Sequence, residues 1–214
     1  LDHEDEEVRE AIERVAGEDV VWVPRAGEDA QEVARSMACV IGTRIGWKDM
    51  ETEVVWPGRS LDRINWSGAE LVLSAAHNSE SLSHDLARLG SERHVLVVGM
   101  TQKEDLAESI IPLLRSEGRI QTIVTEVHGG RTPSVRAEHL SEFLSVDSEV
   151  PPLIIAEPIE AVDAASVVAL EEGCIVYVTG SVYLVGQAIE EVVSREGGNL
   201  WEYLEAHPSV QRPI

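Results

Sequence analysis

Cysteine is scarce in this 214-residue chain: Cys39 and Cys174 are its only two, far apart and in no C-x-x-C pair. A disulfide framework and a thiolate metal site therefore have no basis, and the reduced thiols of a cytosolic protein are expected. Lysine is as rare. Only Lys48 and Lys103 stand among 17 cations, against 39 Asp plus Glu, for a formal net charge of −22. A phosphate backbone is bound by clustered Lys and Arg, so nucleic acid is excluded as a generic partner. Long apolar runs are missing too. Stretches such as Val20 to Val23 fall far short of the roughly 20 residues a spanning helix needs. No basic, apolar leader opens the sequence, so a cytoplasmic protein without a membrane partner is expected. Three glycine signatures are also absent: G-x-G-x-x-G, G-x-S-x-G and G-x-x-x-x-G-K-[ST]. That disfavours an independent dinucleotide-binding protein. His84, His94, His128 and His139 lack ligand spacing, so no metal site is expected.

What is present is enough apolar residue, 43%, for a proper core. A chain of this length buries about 70% of the surface its unfolded form exposes. The acidity has two readings, an acidic face for a basic partner or a surface adapted to molar salt, where the Debye length is about 3 Å. The even spread of acids and the near absence of lysine favour salt adaptation, and stability should then rise steeply from low to molar KCl.

Periodicity divides the chain near residue 50. The first part reads as helix, Glu4 to Ala16, strand, Val20 to Val23, and helix, Glu28 to Ile41, followed by a hinge over Gly42 to Asp49. From about Glu51, short apolar runs alternate with amphipathic helices. Leu71 to Leu73 precedes a helix at Ser79 to Leu89, and Val95 to Val98 one at Lys103 to Arg115. Ile120 to Val124 precedes Ser134 to Leu144, Leu153 to Ala156 precedes Ala161 to Leu170, and Cys174 to Val178 precedes Val182 to Val193. Five strand-then-helix units imply an α/β fold, a Rossmann-like, mostly parallel sheet with helices on both faces and right-handed crossovers. An edge strand at Thr52 to Trp56 and a last helix at Leu200 to Glu205 complete the expectation.

In such sheets ligands bind where the strands end, so the loops after the strands are the places to examine. Trp56-Pro57-Gly58-Arg59 forms a tight turn that projects a guanidinium suited to phosphate; alone it equally describes a surface arginine. Ser74-Ala75-Ala76-His77-Asn78 has small residues that admit a close ligand and a helix start whose N–H groups favour anions; plain capping by Asn78 or Ser79 is the alternative. Gly99 to Asp105 carries Lys103, for which a solvated side chain is the default. His128 to Pro133, with Arg131 and Arg136, is a weaker phosphate candidate. Thr179-Gly180-Ser181-Val182-Tyr183 offers hydroxyls and amides at a helix start, again against simple capping.

Taken in order, WPGR at Trp56 to Arg59, LVLSAAHNSESLSHDL at Leu71 to Leu86, HVLVVGMTQKED at His94 to Asp105 and VYVTGSVYLVGQA at Val176 to Ala188 resemble the folylpolyglutamate synthase and dihydrofolate synthase family of Mur ligases. The resemblance spans about Thr52 to Val193. It implies that residues 51–214 are a carboxyl-terminal, glutamate-side domain and that residues 1–50 are an abbreviated remnant of a central ATPase domain plus linker. Such enzymes pass the γ-phosphate of MgATP to a folate or dihydropteroate carboxylate, and the amine of glutamate attacks the acyl phosphate. On that resemblance Arg59, Ser74, His77 and Asn78 would bind nucleotide, and Lys103, Ser181 and Tyr183 would lie toward the substrate. ATP, glutamate and a folate-type substrate would be the partners, met through a missing central domain that holds most of the Mg.

The chain departs from the family pattern at Ser74 and Ala75, where the family has Asp-Gly, at Ser79 for proline and at Gln102 for an acid. No phosphate loop occurs, so the chain is not expected to ligate alone. A non-catalytic interaction or regulatory module that keeps the fold is the alternative.

Overall fold

The computed structural model describes residues 5–17, 20–23, 30–47, 58–59, 61–146 and 150–199. The chain separates into two compact units, Leu1–Val54 and Val55–Ile214.

In the first unit α1 spans Glu6–Ala16 and α2 Ala30–Arg44. Asp5 caps α1 by accepting from the amides of Glu7 and Val8 at 2.9 and 3.4 Å, and Gly17 ends it. Val20 to Val23 pairs with no strand among the described residues, which corrects the strand expected there. A strand exists only as one side of a ladder, and within this segment Trp22 is held through its side chain. The Trp22 indole donates to Glu13 at 2.6 Å under the Arg9 guanidinium, 4.6 Å from the ring centroid. Of the hinge expected over Gly42 to Asp49, the first three residues are helical, and Lys48 and Asp49 lie outside the described residues. Helix α2 runs through Gly42 to Arg44, because one interior glycine costs only about 1 kcal/mol.

The second unit begins with a hairpin. Strands β1 (Asp62–Trp66) and β2 (Ala69–Leu73) pair antiparallel around Ser67-Gly68, with Asp62 opposite Leu73 and Trp66 opposite Ala69. There follow α3 (Ser79–Leu89), β3 (His94–Val98), α4 (Leu106–Leu114), β4 (Arg119–Val124), α5 (Ala137–Leu144), β5 (Leu153–Ile154), α6 (Pro158–Glu172), β6 (Ile175–Thr179) and α7 (Val182–Glu196). The six strands are ordered β1-β2-β6-β3-β4-β5, and all neighbours except β1 and β2 run parallel. This is the mostly parallel Rossmann-like sheet expected, with β1 as an unforeseen antiparallel edge. The expected strand at Thr52 to Trp56 lies outside the described residues, as does the expected helix at Leu200 to Glu205. Helix α4 begins at Leu106, not Lys103, and α5 at Ala137, not Ser134, so both preceding loops are longer than the periodicity suggested.

The central strands bury both faces, and the alternation assigns each residue a side. Leu71, Leu73, Val95, Val97, Ile123, Val176 and Val178 pack against α6 and α7. Val72, Leu96, Val98, Val124, Ile175 and Tyr177 pack against α3, α4 and α5. Connections from β2 through β5 keep their helices on one face; α6 returns the chain to the middle of the sheet across the other. Reversing both direction and face keeps one crossover hand.

The end of the sheet where parallel strands begin is tied by ion pairs. Arg63 reaches Glu70 at 2.8 Å and Glu92 at 2.6 Å, and Arg93 meets Glu172 at 2.9 Å. Trp66, 1% exposed, donates its indole N–H to Asp163 at 2.7 Å under the Arg195 guanidinium, 4.4 Å from the ring centroid. Arg195 holds Asp163 by two hydrogen bonds of 3.0 Å and Glu191 by one of 2.8 Å. Buried His94 donates from Nδ1 to the Glu92 carbonyl at 2.7 Å, and its Nε2 meets the Ser116 hydroxyl at 3.0 Å.

Candidate functional site

The loops after β2 and β6 leave toward opposite faces, since α3 and α7 lie on different sides of the sheet. Adjacent strands whose connections part in this way open a crevice at their carboxyl ends. At that crevice Ser74 N–H donates to the Val178 carbonyl at 2.9 Å, and Gly180 N–H to the Ala76 carbonyl at 3.0 Å, so the two loops are stitched together. Gly180 sits at φ +99°, and a Cβ there would lie 2.6 Å from the Gly99 carbonyl oxygen, which leaves glycine as the one residue that lets β3 and β6 end so close. The Gly58-Arg59 turn joins the same edge. Ala75 N–H donates to the Gly58 carbonyl at 2.6 Å, and Gly58 N–H donates to the buried carboxylate of Asp62.

The backbone of the Ser74–Asn78 loop is used internally. Ala76 N–H donates to the Ser74 hydroxyl at 3.2 Å, and the amides of His77 and Asn78 donate to the Ser81 hydroxyl at 3.2 and 3.3 Å. With Ser74 and Ala75 also donating within the fold, these N–H groups cannot cradle an anion, contrary to the expectation from small residues at a helix start. What the loop offers is side chains. His77 and Asn78 are exposed. The His77 ring is held by its Nδ1, 2.9 Å from the Ala75 carbonyl, so that in the neutral ring Nδ1 donates and Nε2 is left as an acceptor. Asn78 is the N-cap of α3, its Oδ1 accepting from Ser81 N–H at 2.8 Å, so capping and a free amide nitrogen coexist in one residue.

Two cations flank the loop. Arg59 is exposed and makes no ion pair among the described residues. Lys103 lies ahead of α4 and donates its ammonium to the His77 carbonyl, bridging the loops after β2 and β3; burial holds its pKa below the ordinary lysine value, with Asp105 opposing. Arg59, His77, Asn78 and Lys103 are thus brought to one edge.

The other expected residues fall differently. Ser74 is fully buried, and its hydroxyl is engaged by Asp85 at 2.6 Å, by Ala76 and by Thr179 at 3.2 Å, so it underlies the loop. Ser181, 3% exposed, caps α7 by accepting from Tyr183 N–H at 3.2 Å. Tyr183 borders the loop after β4 instead; a Cβ on Gly130 would come 3.6 Å from its ring. Arg131 and Arg136 are exposed on that loop.

Sequence reasoning missed Asp85. Its signal was an acid on the inward stripe of α3, beside Leu82 and Leu89. Burial pushes its carboxyl above the usual carboxylate range, against the Ser74 hydrogen bond and the charges of Arg88, His84 and Arg59. Tyr177, fully buried beneath the same loop, makes no hydrogen bond of ordinary geometry through its hydroxyl, and burial pushes its pKa to about 12. Among the described residues no group of three or more acidic, His or Cys side chains could hold a metal ion.

Compared with solved structures, the chain matches the folylpolyglutamate synthase of Mycobacterium tuberculosis complexed with ADP and AMPPCP at TM-score 0.63 and 19% identity, over 84% of this chain and 42% of that one. The fold is shared with folylpolyglutamate synthases. The E. coli FolC complex with DHPP and ADP gives TM-score 0.57 and 19% identity over 81% of this chain and 41% of that one. The bifunctional folylpolyglutamate synthase/dihydrofolate synthase of Yersinia pestis, complexed with AMPPNP and Mn, gives 0.55 and 19% over 80% and 40%. This chain spans about two fifths of the length of these structures. No protein-family model and no curated protein matches it. No helix among the described residues is long and apolar enough to cross a membrane.

Proposed function

We propose that residues 51–214 are the carboxyl-terminal, glutamate-side domain of an ATP-dependent ligase that extends a folate or dihydropteroate carboxylate with glutamate, and that residues 1–50 are a remnant of the central domain with its linker. The observation that carries this reading is the edge at which Arg59, His77, Asn78 and Lys103 converge, on a fold shared with enzymes solved with ADP. In a chain of net charge −22, a guanidinium kept out of any ion pair among the described residues is a binding group in waiting for phosphate oxygens.

In this reading the nucleotide supplies the phosphoryl group that activates the substrate carboxylate as an acyl phosphate, and the glutamate amine displaces phosphate to leave an amide. The residues of this chain bind and orient. Arg59 meets the phosphates bidentately, His77 accepts a hydroxyl hydrogen of the nucleotide at Nε2 because its Nδ1–H is given to the Ala75 carbonyl, the Asn78 amide donates to the nucleotide, and Lys103 holds the carbonyl of residue 77 so that the ring keeps its direction. Tyr183, across Gly130, lies on the side from which the amino acid would approach, with Ser181 fixing the helix that carries it. Positioning and fixed charge are the larger part of phosphoryl-transfer catalysis, which suits a domain that brings donors without a metal. The phosphate loop and metal belong to residues outside this chain, so ligation by the chain alone is not expected.

A second reading is favoured by the internally satisfied amides of residues 74–78 and by the serine at the head of the loop: a non-catalytic module that keeps the fold. Calorimetric titration of ADP into the chain in molar KCl separates the two. Saturable heat that Arg59→Ala weakens at least about tenfold supports the ligase reading. Absence of heat at millimolar ADP favours the module.

A further inference from the structure

We propose that Asp85 is a positioning residue, setting from beneath, through Ser74, the placement of the Ser74–Asn78 loop and hence of His77. What His77 meets rests on the nucleotide reading; the positioning does not. A serine hydroxyl has one hydrogen to give and two lone pairs to share. Ser74 Oγ accepts from Ala76 N–H at 3.2 Å and lies 3.2 Å from the Thr179 hydroxyl, whose one hydrogen also faces the Ala76 carbonyl at 3.4 Å. The shortest contact of the Ser74 hydroxyl is the one it donates to Asp85 Oδ2 at 2.6 Å, which directs its single hydrogen. Removing that acceptor frees the hydroxyl to rotate, and the bonds to Ala76 and Thr179 go with it.

Those two bonds hold the loop. Ala76 carries through its carbonyl the Gly180 amide at 3.0 Å, which joins the loop to the end of β6, and the preceding carbonyl, of Ala75, orients the His77 ring. Three bonded steps therefore run from a helix-borne carboxylate to the imidazole. The placement is costly in any other role: Asp85 faces inward on the stripe with Leu82 and Leu89, where an apolar side chain would pack without the desolvation of a carboxylate.

The test is site-resolved amide hydrogen exchange on the ligand-free chain, comparing the protein with Asp85→Ala, Asp85→Asn and Ser74→Ala. Asp85→Ala should accelerate exchange at Ala76 about tenfold or more while the sheet amides of Val97 and Val178 keep their rates. Asp85→Asn, which keeps an acceptor oxygen, should restore protection at Ala76, and adding Ser74→Ala to Asp85→Ala should change little further. An unchanged Ala76 rate in Asp85→Ala overturns the proposal. So does acceleration of Ala76, Val97 and Val178 by a common factor, which would make Asp85 a support of the whole fold. A parallel ADP titration separates this from the nucleotide reading. Local loosening with ADP affinity about tenfold weaker supports both; local loosening in a chain that never binds ADP supports the positioning and removes the nucleotide.

Discussion

Three arginines at one end of the sheet and three at the other are treated in opposite ways. Where the parallel strands begin, Arg63, Arg93 and Arg195 are each matched with carboxylates at 2.6 to 3.0 Å, and the Arg195 guanidinium also covers Trp66. Where they end, Arg59, Arg131 and Arg136 have no ion pair among the described residues, and Lys103 is held by a carbonyl, not a carboxylate. Acids outnumber cations by more than two to one, so leaving cations unmatched at one end is not for want of partners. One end is built for cohesion, and the other is where the proposed nucleotide edge lies.

Breaking the cohesive end should have the largest effect. Trp66→Ala removes a buried indole and the shared partner of Asp163 and Arg195, and should lower unfolding free energy by about 3–5 kcal/mol in urea titration. The edge that carries Arg59 and His77 should keep its ligand affinity in the folded fraction. Lys103→Met tests the proposed nucleotide edge. It should weaken ADP binding about tenfold while costing at most about 3 kcal/mol of stability, the upper range of one charged hydrogen bond.

The pH dependence of stability sharpens the contrast. Burial, with Arg119 adding to it, holds the His94 pKa below its ordinary 6.5, against the Glu92 carbonyl and charge. Below 6.5 the unfolded chain therefore takes up a proton that the folded chain refuses. Stability is complete above that pH and falls as pH drops through it, levelling once the folded-state pKa is passed. Unfolding curves between pH 5 and 8, as a range around that value, should show this fall, and His94→Gln should flatten it. The smallest change is expected for Arg63→Gln, a half-exposed pair worth under about 1 kcal/mol, with the difference vanishing in molar KCl.

The parallel core was legible because buried strands between amphipathic helices write a strong pattern, and the limits of α3 were read to the residue. Strand β1 was not, since Asp62-Arg63-Ile64-Asn65-Trp66 spends its exposed alternate positions on polar Arg63 and Asn65, opens on an acid that is nonetheless buried, and looks like a loop; the Ser67-Gly68 turn beside it was the available clue. Val20 to Val23 misled in the reverse sense, being β-prone but without a ladder. The loops at the strand ends could be named from order alone. What could not be read was who holds them: Asp85, Ser74 and Thr179 are separated by 11 and 105 residues and meet only through the crossover that places β6 beside β2.

That crossover governs how the chain is made. Strands β2 and β3 are consecutive in sequence yet do not touch, because β6, the last strand, lies between them. During synthesis the first two hairpin strands and the β3–β5 block must wait as separate pieces with open edges, a high-contact-order route that exposes unpaired strand backbone to other chains. Only when residues 175–179 emerge can the sheet close, and the same event supplies Thr179 and Gly180 to the Ser74–Asn78 loop. The edge that carries His77 is therefore finished last, and a ribosome that stops before β6 releases a chain whose hairpin and β3–β5 block are not joined.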